Sequence, residues 1–401
     1  VIRFQSVLRP LVLVLALVPA ACAVFAQESK PAPESKEAPP KFGASALGGM
    51  KWRGIGPATA SGRIADLAVV PGRESTWYVA VASGGVWRTR NAGTTFEPIF
   101  DDQTSYSIGC VTVDPHDPLT IWVGTGENNS QRSVGYGDGL YVSRDGGDTW
   151  AFAGLKESEH IAKVLVHPKD RNTLFVAAQG PLWKAGGDRG LFVSRDGGAT
   201  WTKAFETDEH TGVTDVVMEP GNPDVMYAAT YQRARRVWTL MNGGPGSSLK
   251  KSIDGGRTWA TCTSGLPGGH LGRIGLAIPP TRPEVVYALV EAQDGASGFY
   301  RSVNRGVSFE KRSSYTSTSP QYYQELVCDP VDANTVYSLD TMLQVTEDGG
   351  KTWREAGESD KHVDNHALWI DPKDGTHMVI GCDGGLYETF DKCRTWRHFG
   401  N

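Results

Sequence analysis

The sequence predicts an all-β, seven-bladed β-propeller built from four-stranded blades, and three observations carry that prediction. A turn word of the form Ser/Thr-x-Asp-x-Gly-x-Thr-Trp recurs in seven copies. Each copy follows three short apolar segments and precedes a fourth, with a period of roughly 45 to 55 residues, as in a propeller blade. The 401 residues include 48 Gly and 12 Trp, a composition suited to many tight turns between short strands with large apolar anchors.

The first segment reads as an address. Arg3 and Arg9 precede the apolar run Leu11 to Val18, and small residues lead to Val24-Phe25-Ala26. These are the three regions of a secretory signal over residues 1–26, which predicts export to the periplasm or the extracellular space. Lipid attachment at Cys22, after Ala20-Ala21, is the alternative reading. The run is shorter than the roughly 20 apolar residues a membrane helix needs, and no later stretch approaches that length. Residues 27–50, rich in Pro, Glu, Lys and Ser, read as a solvated tether, so the propeller is expected over 51–401, from near Trp52.

The repeat then runs in order. Blade one is expected at Ile64 to Val70, Trp77 to Val81, Val86 to Thr89 and Thr95 to Phe100. The second strands of blades two to six fall at Ile121 to Gly124, Leu174 to Ala178, Val225 to Thr230, Val285 to Val290 and Val336 to Leu339. Blade seven reads His366 to Pro372, Met378 to Cys382, Gly385 to Phe390 and Arg394 to His398. Four copies of the turn word are intact, centred on Asp145, Asp196, Asp254 and Asp348. Those at Asn91 and Asn304 use Asn and Phe, and the one at Asp391 has Cys393 where Gly is expected. Both terminal units supply four strands of their own, so closure should rest on packing between blades one and seven, helped by Lys51 to Pro57.

The recurring Asp has a structural purpose. A short polar side chain fixes the turn, Gly permits positive φ, and the aromatic packs away from it. An active site needs different groups converging on one place, whereas this Asp recurs blade after blade. Gly350-Lys351-Thr352 looks like the end of a phosphate loop, but position 345 is Val and the upstream Gly is missing. The net charge of −5 supplies no basic footprint for nucleic acid. Five cysteines follow Ala26, an odd number without metal spacing, and read as buried free thiols, Cys382 and Cys393 included.

These boxes resemble the bacterial neuraminidase repeat, or Asp-box. The phrases Gly62-Arg-Ile64, Gly124-Thr-Gly-Glu-Asn-Asn129, Gly272-Arg-Ile274 and Cys382-Asp-Gly-Gly-Leu-Tyr387 look like those of sortilin-type propellers and their bacterial relatives labelled glycosyl hydrolases. The resemblance implies a propeller that is the first of two in a longer protein. In the similar xyloglucanase-type hydrolases, a catalytic Asp sits in the first blade within Tyr-x-x-x-Asp-x-Gly-Gly-x-Tyr-Arg. The matching stretch here runs from Tyr78 to Arg88 and has Ala82 at the acid's place. The second acid of that family comes from the second propeller, and the arginine motif of sialidases is not found.

A site is therefore expected on the face opposite the boxes, formed by second-to-third strand connections and links between blades. The candidate ligand-binding residues are Glu127, Asn128, Arg132 and Tyr136 after Gly124, and Tyr231, Arg235, Arg236 and Trp238 after Thr230. His362-x-Asp364-x-His366 would share one face if it were strand, which makes the three residues candidate ligands of a single metal ion; no other cofactor is required. Asp208, Glu209 and His210, like Glu159 and His160, sit in corresponding links as acidic rims. The reading is an exported recognition module for a peptide, protein or carbohydrate. Glycoside hydrolysis and an assembly or scaffold role are the alternatives.

Overall fold

The computed structural model describes residues 49 and 62–400. The predicted leader with Cys22, nearly all of the tether, and the segment around Trp52 lie outside the described residues. Seven antiparallel sheets follow in chain order. Blade one comprises Ile64–Val69, Trp77–Val81, Gly85–Thr89 and Glu97–Pro98, and blade seven comprises Asn365–Asp371, Asp374–Cys382, Gly385–Thr389 and Arg397–His398. The first strands of the seven blades form the inner ring. They start at Ile64, Ile108, Ile161, Thr211, Leu271, Glu325 and Asn365. Among the described residues no helix is long and apolar enough to cross a membrane.

Each blade is apolar on both faces because each is sandwiched between two others. The core accordingly divides into seven clusters, one per seam. Trp122, Leu140 and Ile161 meet Val176 and Phe192 between blades two and three, and Tyr227, Leu249 and Ile274 meet Val286 and Tyr300 between blades four and five. The closing seam packs Ile64, Trp77 and Val79 of blade one against Ala367, Val379 and Leu386 of blade seven. Phe399 sets its edge on Trp77, with ring centroids 5.5 Å apart. Among the described residues no strand is exchanged between the terminal blades, and Cys110, Cys262, Cys328, Cys382 and Cys393 are free.

The boxes are turn locks. Ser143 Oγ donates to Asp145 Oδ1 at 2.7 Å and accepts the Gly147 amide at 2.7 Å, while the Thr149 amide and hydroxyl donate to the two Asp145 oxygens. The Trp then reaches across the seam, Trp150 Nε1 donating to Ile99 O and Trp201 Nε1 to Ala153 O. These donations, led by the Thr hydroxyls, hold Asp145, Asp196 and Asp391 down to about 2.

One connection departs from expectation. The residues after Thr230 continue the second strand of blade four as far as Arg236, and a hairpin returns along Thr239–Asn242. Tyr231, Arg233 and Arg235 are thus strand residues with buried side chains, not rim.

Candidate functional site

Six of the seven inner strands carry a bulge or register shift near their first residues, as between Ile64 and Asp66 or Val213 and Asp215. A bulge re-aims the side chains beside it. Here it places one polar or charged residue from several strands along the central channel, a cavity of about 170 Å³ lined by Asp66, Lys163, Asp215, Arg273 and Glu325. Lys163 Nζ donates to Asp215 Oδ1 at 2.7 Å, and Arg273 lies 3.7 Å from Glu325. The free oxygens tie neighbouring blades: Asp66 Oδ2 accepts the Val111 amide, and Asp215 Oδ2 accepts the Leu276 amide.

Three carboxylates face two cations in this channel, and the imbalance shows in their protonation. Burial pushes Asp66 up to about 6. Burial also pushes Glu325 up to about 7, with Asp66 and Asp215 adding to the shift against the opposing pull of Arg273. The Glu325 side chain keeps 41% of its surface, but it opens onto the channel rather than bulk water. Both folded values exceed the ordinary 3.8 and 4.5, so the folded chain keeps protons that the unfolded chain releases. For these two groups, stability is greatest below about pH 4 and falls as pH rises toward about 7. The box aspartates act in the opposite sense, stabilising fully above about pH 4 and losing that contribution as pH falls toward 2. Urea midpoints measured from pH 3 to 8 should therefore peak in mildly acidic solution. Glu325→Gln should flatten the decline toward neutral pH and leave the acid limb intact; an unchanged decline would remove Glu325 as its source.

The mouth of the channel opposite the boxes is closed by a loop from blade two. Arg63 Nη1 donates to Glu127 Oε2 at 2.7 Å and its Nε to Asp383 Oδ1 at 2.8 Å, bridging blades one, two and seven. The guanidinium lies 4.8 Å from the Tyr322 ring centroid. Asn128 Nδ2 donates to Glu325 Oε1 at 2.9 Å, and the Ser130 amide crosses to Gln321 O at 3.0 Å. Arg233 Nη1 donates to Asn129 O at 2.7 Å from above blade four. Between Arg63, Glu127, Tyr322 and His366 about 20 Å³ remains, room for about one water. Burial alone would raise Asp383, but His366 and Arg63 hold it down to about 2. Burial keeps His366 below its ordinary value, and its Nε2 lies 3.0 Å from Asp383 Oδ1. A groove of about 470 Å³ also opens at the box face beside Ile253, Trp259 and Val307, lined as well by Lys251, Thr258 and Ser264.

The candidate ligand-binding residues separate into three groups. Glu127 and Asn128 belong to the mouth, whereas Arg132, Tyr136, Arg236 and Trp238 are exposed on the surrounding face. Tyr231 is buried with its hydroxyl on Asn242, and Arg235 is buried with Nε on Ser130 O. His362, Asp364 and His366 do not converge. The strand begins only at Asn365, and Asp364 has φ 65°, so the alternation that would align them is broken. His362 Nδ1 meets Val363 O, Asp364 accepts the Tyr323 hydroxyl, and His366 turns to Asp383. Among the described residues, no three His, Cys, Asp or Glu side chains group as a metal site. His160 is no rim residue: it is buried, with Nδ1 3.0 Å from Glu127 O.

Arg63, Tyr322, Asp383 and the channel charges were not among the expected site residues. Two signals point to them. Gly62-Arg63-Ile64 and Gly272-Arg273-Ile274 open the inner strands of blades one and five in the same words. A lone charge also interrupts otherwise apolar inner strands at Asp66 and Lys163.

A BNR/Asp-box repeat model matches residues 192–203. The chain is 25% identical over 345 residues to a xyloglucanase of Paenibacillus sp, covering 77% of this chain but 32% of that protein. The GH74 xyloglucanase from Xanthomonas campestris superposes with a TM-score of 0.64 at 16% identity, over 88% of this chain and 56% of that one. YCF48 bound to D1 peptide superposes with a TM-score of 0.54 at 14% identity, over 83% and 95% of the two chains. This chain thus spans about a third of the xyloglucanase from Paenibacillus, and its shape is that of an Asp-box propeller resembling the xyloglucanases.

Proposed function

We propose that this propeller is a recognition module, acting outside the cytoplasm, that binds a peptide or glycan strand across the face opposite its boxes. The carrying observation is the closed mouth: with only about 20 Å³ left between Arg63 and His366, a ligand lies across the face, not inside it. That face offers Trp238 at 80% and Tyr136 at 72% exposure, with Arg132 and Arg236 between blades. Flat aromatic surfaces and guanidinium groups suit both sugar rings and peptide chains.

A second reading, glycoside hydrolysis, is favoured by one geometric fact besides the likeness to xyloglucanases. Sharing one guanidinium holds the Glu127 and Asp383 carboxylates within about 8 Å, compatible with paired glycosidase acids. Asp383 at about 2 is, however, no proton donor at neutral pH, and Ala82 brings no carboxylate to blade one. The two readings separate in one experiment. Xyloglucan oligosaccharides and a panel of short peptides are titrated against tryptophan fluorescence while reducing ends are assayed. Recognition predicts quenching by at least one member, weakened in Trp238→Ala, without new reducing ends. Reducing ends that vanish in Glu127→Gln or Asp383→Asn would replace recognition by hydrolysis, and a panel without any quenching would count against recognition.

A further inference from the structure

The hairpin of blade four stands apart from the repeat. Its second arm, Thr239–Asn242, pairs only with Ala234 and its neighbours, and its outer edge has no strand partner among the described residues. An unpaired edge exposes alternate amides and carbonyls to any extended chain that can approach. The tip Val237-Trp238 is exposed at 78% and 80%, and Met241 is half-open.

Three arginines stand around this edge. Arg235 and Arg236 lie on the first arm and Arg132 on the neighbouring loop, and among the described residues none has a carboxylate within 4.0 Å. Beneath them Arg233 is fully buried on backbone carbonyls and Ser130, and its Nε has no partner. The acid at the hairpin base, Glu291, is already committed to Asn242 Nδ2 at 2.7 Å and the Arg273 amide at 3.0 Å. Burial, and after it the charge of Arg132, push the Arg235 pKa down.

We infer that Thr239–Asn242 is a docking edge for an extended acidic peptide, which adds as a further strand and sets its carboxylates against Arg132 and Arg236. The backbone edge selects a peptide, since a glycan has no strand to add, and the unpaired arginines select negative charge. Pairing places alternate side chains on opposite faces, so one acid meets Arg236 on the face it shares with Met241, and the next meets Arg132 on the other. The inference rests on the recognition reading and narrows it to one ligand class and one edge.

The test uses the full chain and a labelled peptide, Ac-Glu-Glu-Val-Glu-Glu-Tyr-NH2, whose acids fall on both faces of a strand, followed by fluorescence anisotropy. Three comparisons accompany it: the same peptide with Lys for Glu, the acidic peptide N-methylated at alternate residues, and the protein variant Arg132→Glu with Arg236→Glu. The expected result is binding of the acidic peptide that weakens with salt, falls at least about tenfold in the double variant, and is lost on N-methylation. Equal binding of the Lys peptide, of the N-methylated peptide, or by the double variant would overturn the inference, as would no binding of the acidic peptide. If xyloglucan oligosaccharides still quench tryptophan in the double variant, the broader recognition reading survives that failure.

Discussion

Replacing Lys361 by Met is expected to destabilise the fold by about 3–5 kcal/mol, among the largest effects a single substitution can have here. Lys361 and Glu358 lie in the link from blade six to blade seven, with 0% and 2% of their side chains exposed. The Lys361 ammonium sits 3.1 Å from Glu358 Oε1, donates to Asn365 Oδ1 at 2.7 Å and His362 O at 2.8 Å, and faces the Trp396 ring. Glu358 Oε1 also accepts the Leu343 amide and Asn365 Nδ2, while its Oε2 has no partner. Methionine fills the lysine's space and removes the charge, leaving a buried carboxylate without its cation. The cost is that of an uncompensated buried charge, not of the pair itself. Glu358→Gln added to Lys361→Met should therefore recover most of the loss, because the amide oxygen can still accept from Leu343. Urea unfolding of the parent and the two variants checks both claims. A single variant within about 1 kcal/mol of the parent would mean that water reaches the pair.

How far the sequence discloses this molecule can be argued residue by residue. The blades are legible because the box supplies a period and the strands between boxes are short and apolar; Leu174–Ala178 and Val336–Leu339 fall where the pattern places them. The site is less legible because bulges, not periodicity, build it. No residue pattern announces that the strand shifts register beside Asp66, so its carboxylate looks like a solvent-facing residue on an alternating strand. The blade-four hairpin misleads for a related reason. Three arginines after Thr230 suggest a solvated loop, yet Arg233 and Arg235 are buried because backbone carbonyls of neighbouring blades satisfy their guanidinium groups. The His362, Asp364 and His366 alignment presumed strand geometry three residues too early. The two Gly-Arg-Ile triplets, and the single charges inside apolar inner strands at Asp66 and Lys163, carried the sequence signals for the channel and its mouth.

Gly126→Ala should unfold the mouth and cost more than about 3 kcal/mol, beyond what its backbone angle alone explains. Gly126 follows the second strand of blade two, Asp117–Thr125, and opens the loop Glu127 to Ser130 that closes the channel. Its φ is 82°, where a side chain costs about 1–2 kcal/mol. A Cβ there would lie 1.8 Å from Glu159 O and 2.7 Å from the Gly137 nitrogen, inside the 2.7 Å bond that joins those two groups. Both obstacles are backbone, so relief requires moving the link to blade three or the loop itself. Moving the loop breaks the Gly126 amide's bond to Ser107 O and shifts Glu127 away from Arg63. Gly221→Ala isolates the angle from the collision: its φ is 80°, but a Cβ there meets nothing within 4 Å. That control should lose only about 1 kcal/mol. Hydrogen exchange gives the second readout, since the Ser130 amide, held by Gln321 O, should lose protection in Gly126→Ala and keep it in Gly221→Ala. Equal stability losses in the two variants, with Ser130 protected in both, would show that the loop closes the mouth without depending on the close approach of Gly126 to Glu159.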